Sequence, residues 1–125
     1  MAMRIALVAH DAQKEAMVAW AVDRASALRG FEIVATGTTG SRLQVEAGLD
    51  VERLLSGPLG GDAQLGAMIA EGRLGALFFF IDPMTAVPHD VDVKSLLRLA
   101  TLYDTPLAVN RATANAVLAN LEAGN

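Results

Sequence analysis

Apolar runs and helical patterns alternate along the whole chain. Five apolar runs have the length of strands, and they lie at 4–10, 31–36, 51–56, 75–82 and 106–110. The segments that follow them carry apolar residues at the three- and four-residue spacing of a helix, and they lie at 12–28, 42–47, 62–71, 90–103 and 112–121. Apolar strands that alternate with helices are typical of a parallel sheet with helices on both faces.

The pattern predicts a single α/β domain over residues 1–125. We expect a doubly wound, Rossmann-like or flavodoxin-like fold with a five-stranded, mainly parallel sheet and helices on both faces. The run at 51–56 contains charged residues, so we expect an edge strand there. The run at 75–82, GALFFFID, is the most apolar and is expected to be central.

The composition favours a cytoplasmic protein that associates with itself. Hydrophobic residues make up 53% of the chain, and part of this excess is expected to cover a subunit interface. The longest apolar run, at 76–81, is far shorter than the ~20 residues that span a bilayer. The N-terminus runs directly into a strand pattern, so no secretory signal is expected. Without cysteine, the chain has no disulfide and no thiolate ligand or nucleophile.

The charge pattern argues against two classes of partner. The net charge is −4 and basic residues are scattered, so nucleic-acid binding is disfavoured. The two histidines and the aspartates do not follow a metal-binding spacing, and no metal is expected. A small anion remains possible, because a local pocket can be positive in an acidic protein.

Polar and glycine residues follow nearly every predicted strand. Ligands of open parallel sheets bind outside the carboxyl ends of the strands, which makes these positions the candidate site. The candidates at the five strand ends are His10, Asp11, Lys14, Thr36, Gly37, Thr38, Thr39, Ser56, Gly57, Asp62, Asp82, His89, Asp92 and Arg111.

The stretch TGTTG at 36–40 has two interpretations. Glycines and hydroxyls at a helix N-terminus can bind a phosphate, but Thr38 or Thr39 can equally be a helix N-cap. Ser56 and Gly57 form a second such loop or an ordinary turn. Lys14 neutralises a phosphate or is simply solvated.

The titratable residues also have a structural and a functional interpretation. Asp62 is an N-cap or, in a pocket that raises its pKa, a general base. Asp82 ends the most apolar strand, where an acid is often functional. His10 and His89 are structural, or they polarise a carbonyl or move protons.

Several motifs together resemble one known family. They are IALVAHD with the following Lys14, ATGTTG, LSGPLGGD, the DP at 82–83, PHDVDVKSLLRLA and AVNRATA. In order and spacing they are similar to methylglyoxal synthases over about residues 4–117. The wider fold is shared with regulatory domains of carbamoyl phosphate synthetase and with the cyclohydrolase part of a purine-biosynthesis enzyme.

The resemblance implies a lyase that converts dihydroxyacetone phosphate to methylglyoxal and inorganic phosphate without cofactor or metal, in a homohexamer. It implies that Asp62 is the general base and that His89 hydrogen-bonds the substrate carbonyl and the enediolate. Asp92 would orient His89, and Asp11 and Asp82 would be supporting acids. The implied substrate and phosphate pocket consists of His10, Lys14, Thr36, Gly37, Thr38, Thr39, Ser56, Gly57 and His89.

The sequence departs from the family pattern in two places. Val109 replaces a threonine, and Arg111 occupies the variable position of the last motif. The chain ends at Asn125, whereas longer members carry a further segment associated with control by phosphate, so the sequence leaves open whether phosphate controls this protein. Two alternatives remain: a non-catalytic phosphate- or nucleotide-binding regulatory domain, and an isomerase that acts on the same substrate.

Overall fold

The computed structural model describes residues 2–84 and 91–124, with the side chains of 91 and 92 excepted. Its strands form one sheet, and they are β1 (Arg4–Ala9), β2 (Glu32–Thr36), β3 (Val51–Leu54), β4 (Ala76–Phe80) and β5 (Leu107–Ala108). The order is β3-β2-β1-β4-β5, and every pair is parallel. The predicted α/β fold is confirmed, with a sheet that is wholly parallel.

The strand order confirms the edge strand and refines the centre. β3 lies at one edge, as its charged residues predict. The central strand is β1, however, and the Phe-rich β4 lies beside it. The chain winds to one side of β1 first and then to the other, so the switch point of the fold lies between the ends of β1 and β4.

In the described part of the chain, six helices connect and cover the strands. They are α1 (Lys14–Asp23), α2 (Ala25–Leu28), α3 (Gly37–Glu46), α4 (Gly61–Ala70), α5 (Val91–Leu102) and α6 (Arg111–Gly124). Short 3₁₀ turns at Asp11–Gln13 and Gly57–Leu59 precede α1 and α4. Within the described residues, none of the helices has the length and apolar character needed to cross a membrane.

Two predicted helix boundaries were wrong. The helix expected over 12–28 is divided at Arg24 into α1 and α2. The helix expected from Arg42 begins at Gly37, so TGTTG forms its first turn rather than a preceding loop. The N-cap is therefore Thr36, and not Thr38 or Thr39. Glycine and threonine have weak helix propensity, and the tertiary contacts of this turn override it.

Alternate residues of the strands enter two separate cores. Ile5 and Leu7 of β1 pack with residues of α1, α3 and α6 on one face. Ala6 and Val8 pack with residues of α4 and α5 on the other face. Side chains alternate across a strand, and burying each large one contributes about 1.5–3 kcal/mol. This two-sided burial holds the strand ends, and hence the candidate site, in place.

Candidate functional site

A cavity of about 340 Å³ lies at the carboxyl ends of β1, β2 and β3. The predicted residues that line it are His10, Asp11, Lys14, Thr36, Gly37, Thr38, Thr39, Ser56, Gly57 and Asp62. Its apolar wall, which was not predicted from the sequence, consists of Val8, Ala9, Pro58 and Phe79. Val8, Ala9 and Phe79 are the last or next-to-last residues of buried strands. That position is the signal by which the sequence could have predicted them.

Of the remaining predicted residues, the described Asp82 and Arg111 do not line the cavity. Asp82 is 8% exposed and contacts His10 from the end of β4. His89 and the side chain of Asp92 lie outside the described residues. Arg111 begins α6, where its Nη2 lies 3.8 Å from Oδ2 of Asp23. The described polar lining of the cavity therefore comes from the segments that follow the first three strands, and Phe79 of β4 adds to its apolar wall.

Two helix N-termini meet at the cavity. The N-caps of α3 and α4 are Thr36 and Gly60, and neither makes a side-chain capping hydrogen bond. The first N–H groups of a helix have no partner within the helix, and they carry a partial positive charge. Gly37 has φ +49°, and a Cβ there would lie 3.1 Å from Cβ of Ser56. This close contact holds the start of α3 against the end of β3.

The Thr39 hydroxyl is buried next to these N–H groups. The residue is 0% exposed, and its Oγ1 has no hydrogen-bond partner among the residues that the structure describes. Leaving a buried hydroxyl unsatisfied costs about 1–3 kcal/mol, and native proteins seldom do so. Thr39 also lines the cavity, so this unpartnered hydroxyl lies at its wall.

Lys14 is held over the start of α3. Its Nζ donates to Oγ1 of Thr38 at 2.7 Å and lies 2.8 Å from Oδ1 of Asp11. The hydrogen bond from Lys14, and then its charge, hold the pKa of Asp11 below the usual range. Since the Asp11 side chain is 97% exposed, this pair contributes little to stability. It does orient the ammonium group toward the first turn of α3.

Asp62 lies in the first turn of α4 and lines the cavity. The N-cap of that helix is Gly60, so the N-cap interpretation of Asp62 was wrong. A Cβ on Gly57 would lie 3.3 Å from Oδ2 and 3.5 Å from Oδ1 of Asp62. The carboxylate therefore packs directly against the glycine of the opposite loop.

His10 and Asp82 meet at the switch point between β1 and β4. The backbone N–H of Asp82 donates to Nδ1 of His10 at 2.8 Å, and Oδ1 of Asp82 accepts from the N–H of Met84 at 3.0 Å. The His10 ring also meets the Phe79 ring edge-on, with centroids 5.0 Å apart. A nitrogen that accepts a hydrogen bond carries no proton, so the neutral ring is protonated on Nε2.

The described residues that line the cavity offer hydroxyls, amides, one ammonium group and separate carboxylates. Within residues 2–84 and 91–124, no three His, Asp or Glu side chains form a group that could hold a metal ion. The chemistry available in the described part of the cavity is therefore hydrogen bonding, charge stabilisation and proton transfer.

The fold and the cavity define a doubly wound α/β protein with a glycine- and hydroxyl-rich site at the carboxyl edge of its sheet. A family model described as MGS-like domain matches residues 16–109. The chain is 61% identical over 111 residues to a methylglyoxal synthase of Agrobacterium fabrum, which covers 88% of this chain and 87% of that protein. It is 56% identical over 121 residues to a methylglyoxal synthase of Brucella anthropi, which covers 96% of this chain and 97% of the relative.

A solved structure gives the same result. The crystal structure of methylglyoxal synthase from Elizabethkingia anophelis superposes with a TM-score of 0.87 at 47% identity. The match covers 94% of this chain and 77% of that chain. The chain belongs to the methylglyoxal synthase family, and the resemblance seen in the motifs is confirmed.

Proposed function

We propose that this protein is a carbon–oxygen lyase that converts dihydroxyacetone phosphate to methylglyoxal and inorganic phosphate. Its relatives at 54–61% identity are named methylglyoxal synthases. The observation that carries the proposal is the cavity itself, which Asp62 lines together with the glycine- and hydroxyl-rich first turn of α3. The volume of about 340 Å³ suits a small metabolite.

The phosphate group of the substrate would bind at the start of α3. Lys14 supplies a positive charge, and the Thr38 and Thr39 hydroxyls with the first N–H groups of the helix supply donors. Ser56 and Gly57 complete this side of the cavity. The Thr39 hydroxyl gains the partner that it lacks among the described residues.

Asp62 would act as the general base. Its carboxylate takes a proton from the carbon that bears the substrate hydroxyl, and the neighbouring carbonyl oxygen becomes negatively charged. Donors that are already in place stabilise this enediolate. His10 is one such donor through Nε2. The family resemblance assigns the same task to His89, with Asp92 as its orienting partner and Asp11 and Asp82 as supporting acids.

The enediolate then expels phosphate. The hydroxyl on the first carbon loses its proton and becomes the aldehyde, while the double bond moves toward the phosphate-bearing carbon. The carbon–oxygen bond breaks, and its electron pair leaves with the phosphate. The resulting enolate takes up a proton on its terminal carbon and becomes methylglyoxal. Elimination requires the breaking bond to stand perpendicular to the enediolate plane, and a site that holds the departing dianion favours this geometry.

The proposal includes a cytoplasmic homo-oligomer, and specifically a hexamer. Several large apolar side chains lie exposed on the described surface, and the most exposed are Val45, Leu59, Met84 and Leu102. Exposed apolar area of this kind is typical of subunit interfaces. Light scattering coupled to size-exclusion chromatography measures the subunit number, and a monomer would overturn this part of the proposal.

Turnover of dihydroxyacetone phosphate tests the proposed reaction. We expect methylglyoxal and free phosphate to form in equal amounts, with no added metal or cofactor. Glyceraldehyde 3-phosphate without release of phosphate would instead identify an isomerase. Folded protein that binds phosphate but forms neither product would identify a regulatory binding domain.

A further inference from the structure

A side chain outside the cavity fixes the loop that faces Asp62. The amide oxygen of Gln64, on α4, accepts a hydrogen bond from the backbone N–H of Leu55 at 2.9 Å. Leu55 is the first residue after β3. The next two residues, Ser56 and Gly57, line the cavity. Gln64 thus ties the helix that carries Asp62 to the loop that forms the opposite wall.

Backbone contacts join the same two segments. The N–H of Gly61 donates to the Ser56 carbonyl at 2.9 Å, and that of Gly60 donates to the Gly57 carbonyl at 3.1 Å. A Cβ on Gly61 would lie 2.1 Å from the carbonyl oxygen of Leu55, so the helix touches the loop backbone directly. The Gln64 bond is the side-chain link in this group, and it holds the loop at its first residue.

Leu55 needs such a link because β3 is an edge strand. β3 pairs with β2 over residues 51–54, and pairing ends at the residue before Leu55. An edge strand has a partner on one side only, and its ends are the least restrained part of a sheet. A movement of this loop would change the distance between the Asp62 carboxylate and Gly57, which are in contact.

We propose that Gln64 is a positioning residue that sets the distance between the Asp62 carboxylate and the Ser56–Gly57 wall of the cavity. The role in turnover rests on the proposed function, whereas the effect on the loop does not. Gln64 itself is not among the residues that line the cavity, so it acts through the Leu55 N–H and not on the ligand.

The same strand provides a matched control. Gln44, on α3, donates its side-chain amide to the carbonyl of Val51 at 2.9 Å. Val51 begins β3 and Leu55 follows its end, so two glutamines hold opposite ends of one edge strand. The cavity lies at the carboxyl end of β3, next to Leu55, and not at the end where Val51 lies. Removing either bond costs the strand a hydrogen bond, but only the Gln64 bond is next to Asp62.

The experiment compares Gln64→Met, Gln64→Glu and Gln44→Met. Met keeps the length of glutamine without the acceptor, and Glu keeps an acceptor for the Leu55 N–H. For Gln64→Met we expect faster hydrogen exchange at the Leu55 amide and a roughly ten- to a hundred-fold lower kcat, the scale of a displacement of about 1 Å. In Gln64→Glu the exchange rate at the Leu55 amide and kcat should both lie within a few-fold of the parent values. The added charge of this variant should raise KM at low salt.

Gln44→Met should lower the melting temperature about as much as Gln64→Met while leaving kcat unchanged. Equal losses of kcat in Gln44→Met and Gln64→Met would overturn the proposal, because the effect would then be general loosening of β3. Unchanged exchange at Leu55, or unchanged kcat, in Gln64→Met would overturn it as well.

Failure of the proposed function is distinguishable from failure of this inference. If the unmodified protein does not turn over dihydroxyacetone phosphate, the three variants are titrated with inorganic phosphate. At a salt concentration that screens the added charge of Gln64→Glu, weaker binding in Gln64→Met than in the other two variants, together with faster exchange at Leu55, supports the positioning role independently of the reaction. Equal phosphate affinities in all three variants overturn it.

Discussion

The Asp62 carboxylate packs against the bare Cα of Gly57, with a Cβ at that position falling 3.3 Å from Oδ2. Both residues line the cavity, and they come from different segments, the first turn of α4 and the 3₁₀ turn after β3. Such a contact is tighter than most that a real Cβ makes, so an added methyl group displaces the carboxylate by a few tenths of an ångström.

Gly57→Ala is therefore expected to fold and to lose at least about ten-fold in kcat, because small displacements of reacting groups are costly. Gly30→Ala is the control, since a Cβ there meets only the carbonyl oxygen of Ala27 at 3.5 Å. Steady-state kinetics and thermal melts of both variants provide the measurements. If Gly57→Ala keeps full activity, the contact does not position Asp62.

Gly61→Ala should disrupt folding rather than the position of Asp62. Its Cβ would overlap the backbone carbonyl of Leu55, so we expect loss of soluble or stable protein rather than loss of turnover alone. A thermal melt shows the difference. A Gly61→Ala protein that melts like the parent would mean that the start of α4 can move away from the loop.

Asp62→Asn should lower methylglyoxal formation by roughly 10²–10⁴-fold, the usual contribution of a general base. Binding of inorganic phosphate should survive, because the amide occupies the same space and the donors at the start of α3 remain. Asp50→Asn serves as the control, since Asp50 is exposed at the opposite edge of the sheet. Near-normal turnover by Asp62→Asn would show that another group removes the proton.

Thr39→Val separates binding from stability. The valine removes a buried hydroxyl that has no partner among the described residues, so we expect stability to be unchanged or to rise by about 1 kcal/mol. Phosphate affinity should fall about ten-fold, because a hydrogen bond to a charged ligand is lost. Denaturant melts and calorimetric titration measure the two effects.

Thr101→Val is a suitable comparison, because that hydroxyl donates to the Leu97 carbonyl at an exposed position of α5. It should leave phosphate affinity unchanged. A Thr39→Val protein that binds phosphate as tightly as the parent would show that this hydroxyl does not contact the ligand.

Lys14→Gln should weaken phosphate binding and reduce its dependence on salt, because a positive charge leaves the cavity. It should also return the pKa of Asp11 toward its ordinary value, since Lys14 is the main cause of the lowered pKa. In the parent protein the Asp11 carboxylate then stays ionised to a lower pH than in the variant. Any stabilisation from this pair is present above the pKa of the unfolded chain and disappears as pH falls through the folded pKa. Carbon-13 NMR titration of Asp11 detects the shift, and identical titrations in both proteins would contradict it.

His10 is expected to be the Nε2–H tautomer in the ligand-free protein. The Asp82 N–H donates to its Nδ1, which requires that nitrogen to be unprotonated. Nitrogen-15 NMR distinguishes the two tautomers, and His89→Gln identifies the His10 signals because the chain has two histidines. A protonated Nδ1 near neutral pH would contradict the hydrogen bond. In addition, His10→Gln, which keeps a donor near Nε2, should retain more activity than His10→Asn.

Much of the fold was predictable because its signals are local. A buried parallel strand needs an apolar run, and a covering helix needs an apolar residue every three or four positions, so both leave a periodicity in the sequence. The charged residues of β3 similarly predicted its place at the edge. The weak points were helix ends, as at Gly37 and Arg24, where local propensity and tertiary contacts disagree.

The site was predictable to the extent that it follows from topology. Parallel strands place their carboxyl ends at one edge of the sheet. This rule alone predicted from the sequence that His10, Lys14, Thr36 and Asp62 lie at one site. The motifs then predicted the family. Residues that act through others, such as Gln64, left no signal, because a glutamine in the first turns of a helix is commonplace.

Local patterns therefore predict the succession of strands and helices along the chain, the two-sided core and the group of polar residues at the strand ends. The contacts among these residues follow from the three-dimensional packing: Gly57 with Asp62, Lys14 with Thr38, and the Asp82 N–H with His10. This packing also decides that the Thr39 hydroxyl is buried without a partner among the described residues. The reason is physical, since periodicity reports which face of an element is buried, whereas contacts between strand ends depend on how both cores pack.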